Sequence, residues 1–255
     1  MPDLDFLNKK SVEIRKLIVN QIGKLGVGHI GGSLSIVEVL VYLYYYEMNI
    51  NLEESDMEGR DRFILSKGHG GSALYSVLAD RGYFSFEELD TLNCPGTNLP
   101  SHPDMLKTKG IDMTTGSLGQ GLSCAVGMAL ASRIKDDNAY IYCLLGDGEI
   151  QEGQIWEAAM AAGHFKLNRL IAFLDYNKMQ ISGTVDEIMD IEPIEEKWRA
   201  FNWNVYRTNG HSIEGIHEIV KKAKENTNKP SIIILDTIKG KGVSFAEKAE
   251  VLSHS

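Results

Sequence analysis

Two side chains in this sequence offer hard oxygen donors just beyond apolar runs. Asp147 lies in Leu145-Gly146-Asp147-Gly148-Glu149, directly after the run Tyr140–Leu145. Asn177 follows Leu170–Leu174 by way of Asp175-Tyr176. A carboxylate and an amide oxygen brought together beside a glycine turn suit magnesium, which takes one or two carboxylates plus phosphate oxygens in near-octahedral geometry. Gly-Asp-Gly alone is a turn, and the second run with Asn177 in register is what makes it a candidate metal site. Of the seven histidines, four (His29, His69, His102 and His254) fall in loops. Singly each reads as a surface histidine. Together they are a set of groups able to take and return protons near neutral pH.

The elements that must position these residues alternate. Tyr140–Leu145 and Leu170–Leu174 read as buried strands, with a helix over Gln154–Phe165 between them. A strand–helix–strand unit makes the two strands parallel neighbours, so Asp147 and Asn177 come to one sheet edge. Further strands are expected at Arg62–Ser66, Trp203–Arg207 and Ser231–Asp236, and further helices at Asp3–Leu25, Ser35–Tyr46, Ser72–Arg81, Ile191–Phe201 and Ile213–Glu225. Asn93–Lys109, with three prolines, reads as a long loop. Thr114–Gly121 is a glycine-rich stretch opening a helix that runs to Arg133, where backbone N–H groups can face a ligand. The fold class is α/β, a doubly wound and mostly parallel sheet with helices on both faces, as one domain over residues 1–255. Ligands of such sheets sit beyond the carboxyl ends of the strands, where His69, Asp147, Asn177 and the Lys239-Gly-Lys-Gly242 loop fall.

Composition sets outer limits. At 255 residues and 43% hydrophobic, the chain can bury one large core. A net charge of −9 argues against nucleic acid as a partner. No uninterrupted apolar run is long enough for a membrane span, and the N-terminus lacks a basic leader. The three cysteines have no metal spacing and read as reduced thiols, so a cytoplasmic location is expected.

Gly-Asp-Gly answered by Asn177 resembles the thiamine-diphosphate signature. With Gly28-His29, Ser66-Lys-Gly-His69, Ser101-His102-Pro103-Asp104, Thr115-Gly116-Ser-Leu118-Gly-Gln-Gly121 and Gln151-Glu152-Gly153, the chain resembles the N-terminal half of transketolase over nearly its whole length. The resemblance implies that Asp147, Asn177 and the Met179 carbonyl hold magnesium, or calcium or manganese in its place. It implies that His69, Gly116, Ser117, Leu118, Asp147, Gly148, Glu149, Asn177 and His254 contact thiamine diphosphate. His29, His69, His102 and His254 would surround the reacting sugar, and Glu152 and Glu157 match acidic positions that relay protons between paired sites. The setting of His254, Ser-His-Ser, departs from the family's Trp-His-Gly.

The pyrimidine-binding half of the family is absent from this sequence. The implied activity is therefore transfer of a two-carbon ketol unit from a ketose to an aldose, both sugars or sugar phosphates, together with a C-terminal partner subunit in an α2β2 assembly. The tyrosine-rich helix near Tyr42–Tyr46 and the Gly116–Ala131 helix are the expected contact surfaces. Other readings are a split deoxyxylulose-phosphate-synthase-like or phosphoketolase-like enzyme, the α subunit of a 2-oxo-acid dehydrogenase, and a non-catalytic scaffold.

Overall fold

The computed structural model describes residues 1–52, 54, 57–180 and 183–247. Its centre is a five-stranded sheet of β1 (Arg62–Leu65), β2 (Ile141–Gly146), β3 (Leu170–Tyr176), β6 (Asn204–Asn209) and β7 (Ser231–Asp236), in the order β1-β2-β3-β7-β6. Every pairing is parallel. A two-stranded antiparallel ribbon, β4 (Met179–Gln180) with β5 (Gly183–Thr184), hangs from the end of β3.

Alternation along the strands builds two cores. Phe63, Leu65, Tyr142, Leu144, Ile171, Phe173, Ile233 and Leu235 point to one face. There they meet α1 (Leu4–Leu25), α2 (Ile30–Leu34), α3 (Val37–Tyr42), α4 (Gly71–Arg81) and α9 (Ile213–Glu225). Ile64, Ile141, Cys143, Leu145, Leu170, Ala172, Leu174, Ile232 and Ile234 point to the other. That face is covered by α5 (Gln120–Lys135), α6 (Gly153–His164) and α8 (Ile194–Ala200). Each buried aliphatic side chain contributes about 1.5–3 kcal/mol of transfer free energy. This is why strands apolar at every position are stable only with both faces covered. Two short helices, α7 (Val185–Met189) and α10 (Ser244–Glu247), complete the set.

Three expectations are corrected. The tyrosine helix is not a surface along its length: all of α3 is buried and Tyr42 and Tyr44 are 0% and 4% exposed in the core, which leaves half-buried Tyr45 and Tyr46, 42% exposed, as its open part. It packs between α1, α4 and α9, and a helix apolar on every side but that of Glu38, whose charge Arg15 pairs, belongs inside. The helix after the glycine-rich stretch begins at Gln120, because Gly116 and Gly119 take φ of +152° and +86° and hold the preceding residues in a loop. The helix expected from Ile191 starts at Ile194, after Pro193 in extended conformation at its N-cap. Among the described residues, no helix is long and apolar enough to cross a membrane.

Candidate active site

The register that pairs Gly146 with Asp175 sets the tips of β2 and β3 side by side. Asp147 and Asn177 both line a cleft of about 360 Å³ at this edge, with Lys67, His69, Leu118, Gly148, Glu152, Met179 and Lys239 among the other walls. Asp147 is 3% exposed; its Oδ1 accepts from the Gly148 N–H at 2.8 Å and its Oδ2 from the Lys178 N–H at 2.6 Å. Burial, then the charge of Asp175, raise its pKa to about 7. Among the described residues no lysine or arginine forms an ion pair with it. A buried carboxylate left in this state is a place where a cation is favoured.

Asn177 is aimed by two bonds. Its Nδ2 donates to Asp175 Oδ2 at 3.0 Å, and its Oδ1 accepts from the Met179 N–H at 3.1 Å. Asp175 is wholly buried and also accepts from Lys67 Nζ at 2.5 Å, Ser35 Oγ at 2.6 Å and Thr237 Oγ1 at 2.5 Å. Burial pushes its pKa up, but Lys67 and the hydroxyl donors outweigh burial and hold it below the usual carboxylate range. Sequence reasoning missed this anchor. Lys67 was visible inside Ser66-Lys-Gly-His69, but nothing in one dimension tells that it is 1% exposed and paired with Asp175.

The histidines gather on the neighbouring wall. The ring of His29 lies 5.5 Å from that of His69 and 5.9 Å from that of His102, centroid to centroid. Close glycine contacts let these loops meet. A Cβ on Gly32 would come within 3.3 Å of the His69 ring, one on Gly116 would touch His102 at 3.4 Å, and one on Gly68 would strike the Gly116 backbone nitrogen at 2.9 Å. Burial lowers the pKa of His102. Burial, followed by His102, Lys67 and Lys239, lowers that of His29, so both rings are neutral at pH 7. His254 lies outside the described residues.

The remaining sequence-named residues divide. Leu118, 37% exposed, and Gly148 line the cleft, and a Cβ on Gly148 would meet Gln180 Oε1 at 3.0 Å. Ser117 is exposed in the loop before α5. Glu149 borders the cleft, but its carboxylate faces the protein. It accepts from Ser66 Oγ at 2.5 Å, Gly119 N–H at 2.9 Å and Gly146 N–H at 3.0 Å, so it ties three loops together. Glu152 is exposed at the cleft rim, at the N-cap of α6, and Glu157 is exposed further along that helix.

A divalent cation fits this donor set. Among the described residues no three His, Cys, Asp or Glu side chains converge as ligands. One carboxylate, one amide oxygen and a backbone carbonyl are nevertheless the hard oxygens that magnesium takes when phosphate and water complete its shell.

Comparison with known proteins agrees with the geometry. Residues 7–254 match the family model described as "Transketolase, thiamine diphosphate binding domain". The chain is 59% identical over 242 residues to the 6-deoxy-6-sulfo-D-fructose transketolase subunit SqwG of Clostridium sp. (strain MSTE9), covering 95% of this chain and 88% of that protein. It is 42% identical over 244 residues to a subunit of the apulose-4-phosphate transketolase of Phocaeicola vulgatus, covering 96% and 86%. The crystal structure of transketolase from Campylobacter jejuni superposes with a TM-score of 0.90 at 33% identity, covering 94% of this chain but 39% of that one.

Proposed function

The chain belongs to the transketolase family, as its thiamine-diphosphate-binding domain, and from that premise we propose that it works as one half of a two-subunit ketol transferase. Matched relatives of similar length include transketolase subunits, which favours this reading over a 2-oxo-acid dehydrogenase α subunit, a synthase-like or phosphoketolase-like enzyme, or a scaffold. The observation that carries it is the convergence of three histidine rings beside a cleft whose buried Asp147 has no ion-pair partner among the described residues.

Thiamine diphosphate, once bound, supplies the nucleophilic carbon and electron sink that ketol transfer needs. Asp147, Asn177 and the Met179 carbonyl would hold its magnesium, with calcium or manganese as substitutes. Gly148, without a side chain, lets Gln180 pack against the cleft wall, and Lys239 adds positive charge to the same wall. Burial and Lys67 lower the Lys239 pKa, against the pull of Asp147 and Asp175. His29, His69 and His102, with His254 as the resemblance implies, would bind sugar hydroxyls and carry protons to and from them. Neutral His29 and His102 suit the acceptor role. Glu152 at the rim would relay protons toward a paired site.

A sugar with an anionic distal group is the substrate class we propose, and the 59% relative makes a sulfonated ketose the first donor to assay. The partner would be a C-terminal subunit in an α2β2 assembly. A bound cofactor needs its reactive ring oriented and shielded from water, which the partner would complete. Exposed Leu118 and Ile188 at the cleft rim are consistent with such a cover. Three free cysteines support a reducing, cytoplasmic location. The test is turnover by the purified chain with thiamine diphosphate, magnesium and a ketose, with and without the partner subunit. Full turnover by the isolated chain refutes the two-subunit reading.

A further inference from the structure

The loop that carries Lys239 to the cleft is held from behind by residues that do not line it. Ile238 N–H donates to His211 Nε2 at 2.8 Å. His211 Nδ1 lies 3.1 Å from Glu38 Oε2, and Arg15 Nη2 binds both Glu38 oxygens at 2.7 and 2.9 Å. Arg15 Nε donates to the Lys241 carbonyl at 2.9 Å, and its stem lies against Gly242, where a Cβ would meet it at 2.7 Å. The three side chains are nearly closed to solvent, at 12% for Arg15, 8% for Glu38 and 10% for His211.

The hydrogen-bond inventory fixes the state of the ring. A backbone N–H can only donate, so Nε2 must present a lone pair to Ile238. The ring proton then resides on Nδ1 and is donated to Glu38, whose charge Arg15 balances. His211 is therefore a neutral imidazole of one tautomer, selected by Glu38 and read out by the backbone of Ile238.

We propose that His211 is a positioning residue for the cofactor cleft. Its Nε2 lone pair, oriented through Glu38 and Arg15, clamps Ile238 and so fixes the Lys239 loop. The proposal rests on the reading of the cleft as a thiamine-diphosphate site. It predicts that the bond to Ile238, more than the packing of the ring, governs the loop. Glutamine places its amide oxygen near the Nε2 position, whereas asparagine reproduces Nδ1 alone.

The test uses the chain assembled with its partner subunit. Hydrogen exchange of the segment 238–242 and the dissociation constant of thiamine diphosphate in saturating magnesium are measured for the parent, His211→Asn and His211→Gln. The Asn variant should exchange faster across this segment and bind thiamine diphosphate about tenfold more weakly, about 1.4 kcal/mol. The Gln variant should stay near the parent in both. Equal behaviour of the two variants overturns the clamp, and faster exchange with unchanged cofactor affinity overturns the role of His211 in positioning the cleft. A parent assembly that binds no thiamine diphosphate overturns the reading of the cleft. A difference between Asn and Gln in exchange supports the clamp even then.

Discussion

Lys67 Nζ lies 2.5 Å from Asp175 Oδ2 with both side chains sealed from solvent, so a lysine from the tip of β1 reaches across β2 to a carboxylate of β3. Its stem passes over Gly146, whose hypothetical Cβ would sit 3.6 Å from that of Lys67. The pair locks three strand ends together and, through Asp175, aims Asn177. Removing one member of such a pair leaves a buried charge uncompensated, at about 3–5 kcal/mol. Lys67→Met should lower the unfolding free energy in urea by that amount, and Lys67→Met combined with Asp175→Asn should recover more than half of it. A single variant as stable as the parent rejects the pair as an anchor.

Glu38 gives the fold an acid sensitivity. Burial pushes its pKa up, but His211 and Arg15 outweigh burial and bring it below the ordinary value. A depressed carboxylate stabilises the fold above its unfolded pKa, and that contribution disappears as pH falls through the folded one. Urea midpoints measured across the acid range should therefore show the parent losing an increment of stability that Glu38→Gln lacks. At neutral pH the variant should be the less stable protein.

His69→Ala and His102→Ala should each fold with the parent's thermal midpoint, because both rings are half-buried in loops at the cleft and absent from either core. Ketol-transfer rates in the assembled enzyme should fall about 10²-fold or more, the scale of a lost acid–base group. Rates within about twofold of the parent, against that usual scale, return them to surface histidines.

Two glycines of α5 should respond in opposite ways. A Cβ on Gly121 would lie 2.4 Å from Ser66 Oγ and 2.8 Å from Ser66 Cα, forcing α5 off the tip of β1. Gly121→Ala should cost about 1–3 kcal/mol. Gly127 has open space around it and is exposed, so Gly127→Ala should stabilise the isolated chain by about 0.4–1 kcal/mol. Weaker assembly with the partner in Gly127→Ala alone assigns that face of α5 to the subunit contact.

Cofactor linkage separates half a site from a whole one. Thiamine diphosphate at about one hundred times its dissociation constant should stabilise the assembled enzyme by about 2.7 kcal/mol. The isolated chain should gain much less in thermal shift, and an equal gain shows that this domain binds the cofactor unaided.

The central strands were legible because burial on both faces demands an unbroken apolar run, and Leu170–Leu174 and Ile232–Leu235 have one. Edge strand β6 keeps half-exposed positions, and its pattern was correspondingly shorter than the element found. The ribbon of β4 and β5 was invisible, since two-residue strands carry no periodicity. The start of α7 does carry a local signal, the capping box of Thr184 and Glu187, yet a five-residue helix is too short for periodicity to point to it, and it went unread. In the site, residues set in glycine loops announced themselves. Ser35, Asp175 and Thr237 did not, because a buried polar network depends on which strand ends become neighbours, and single residues in separate segments leave no local trace.

The place of β7 in the sheet bears on how the chain is made. Among the main-sheet strands it is the last in sequence, yet it sits between β3 and β6, and among the described residues β6 pairs with no other strand. On the ribosome, synthesis from Asn209 to Asp236 takes roughly 1–5 s at about 5–20 residues per second. Throughout that interval β3 has an open backbone edge and β6 has no partner, two templates for pairing with a neighbouring nascent chain. Codon changes that slow translation between these residues should raise the insoluble fraction, while the same changes placed after Asp236 should not.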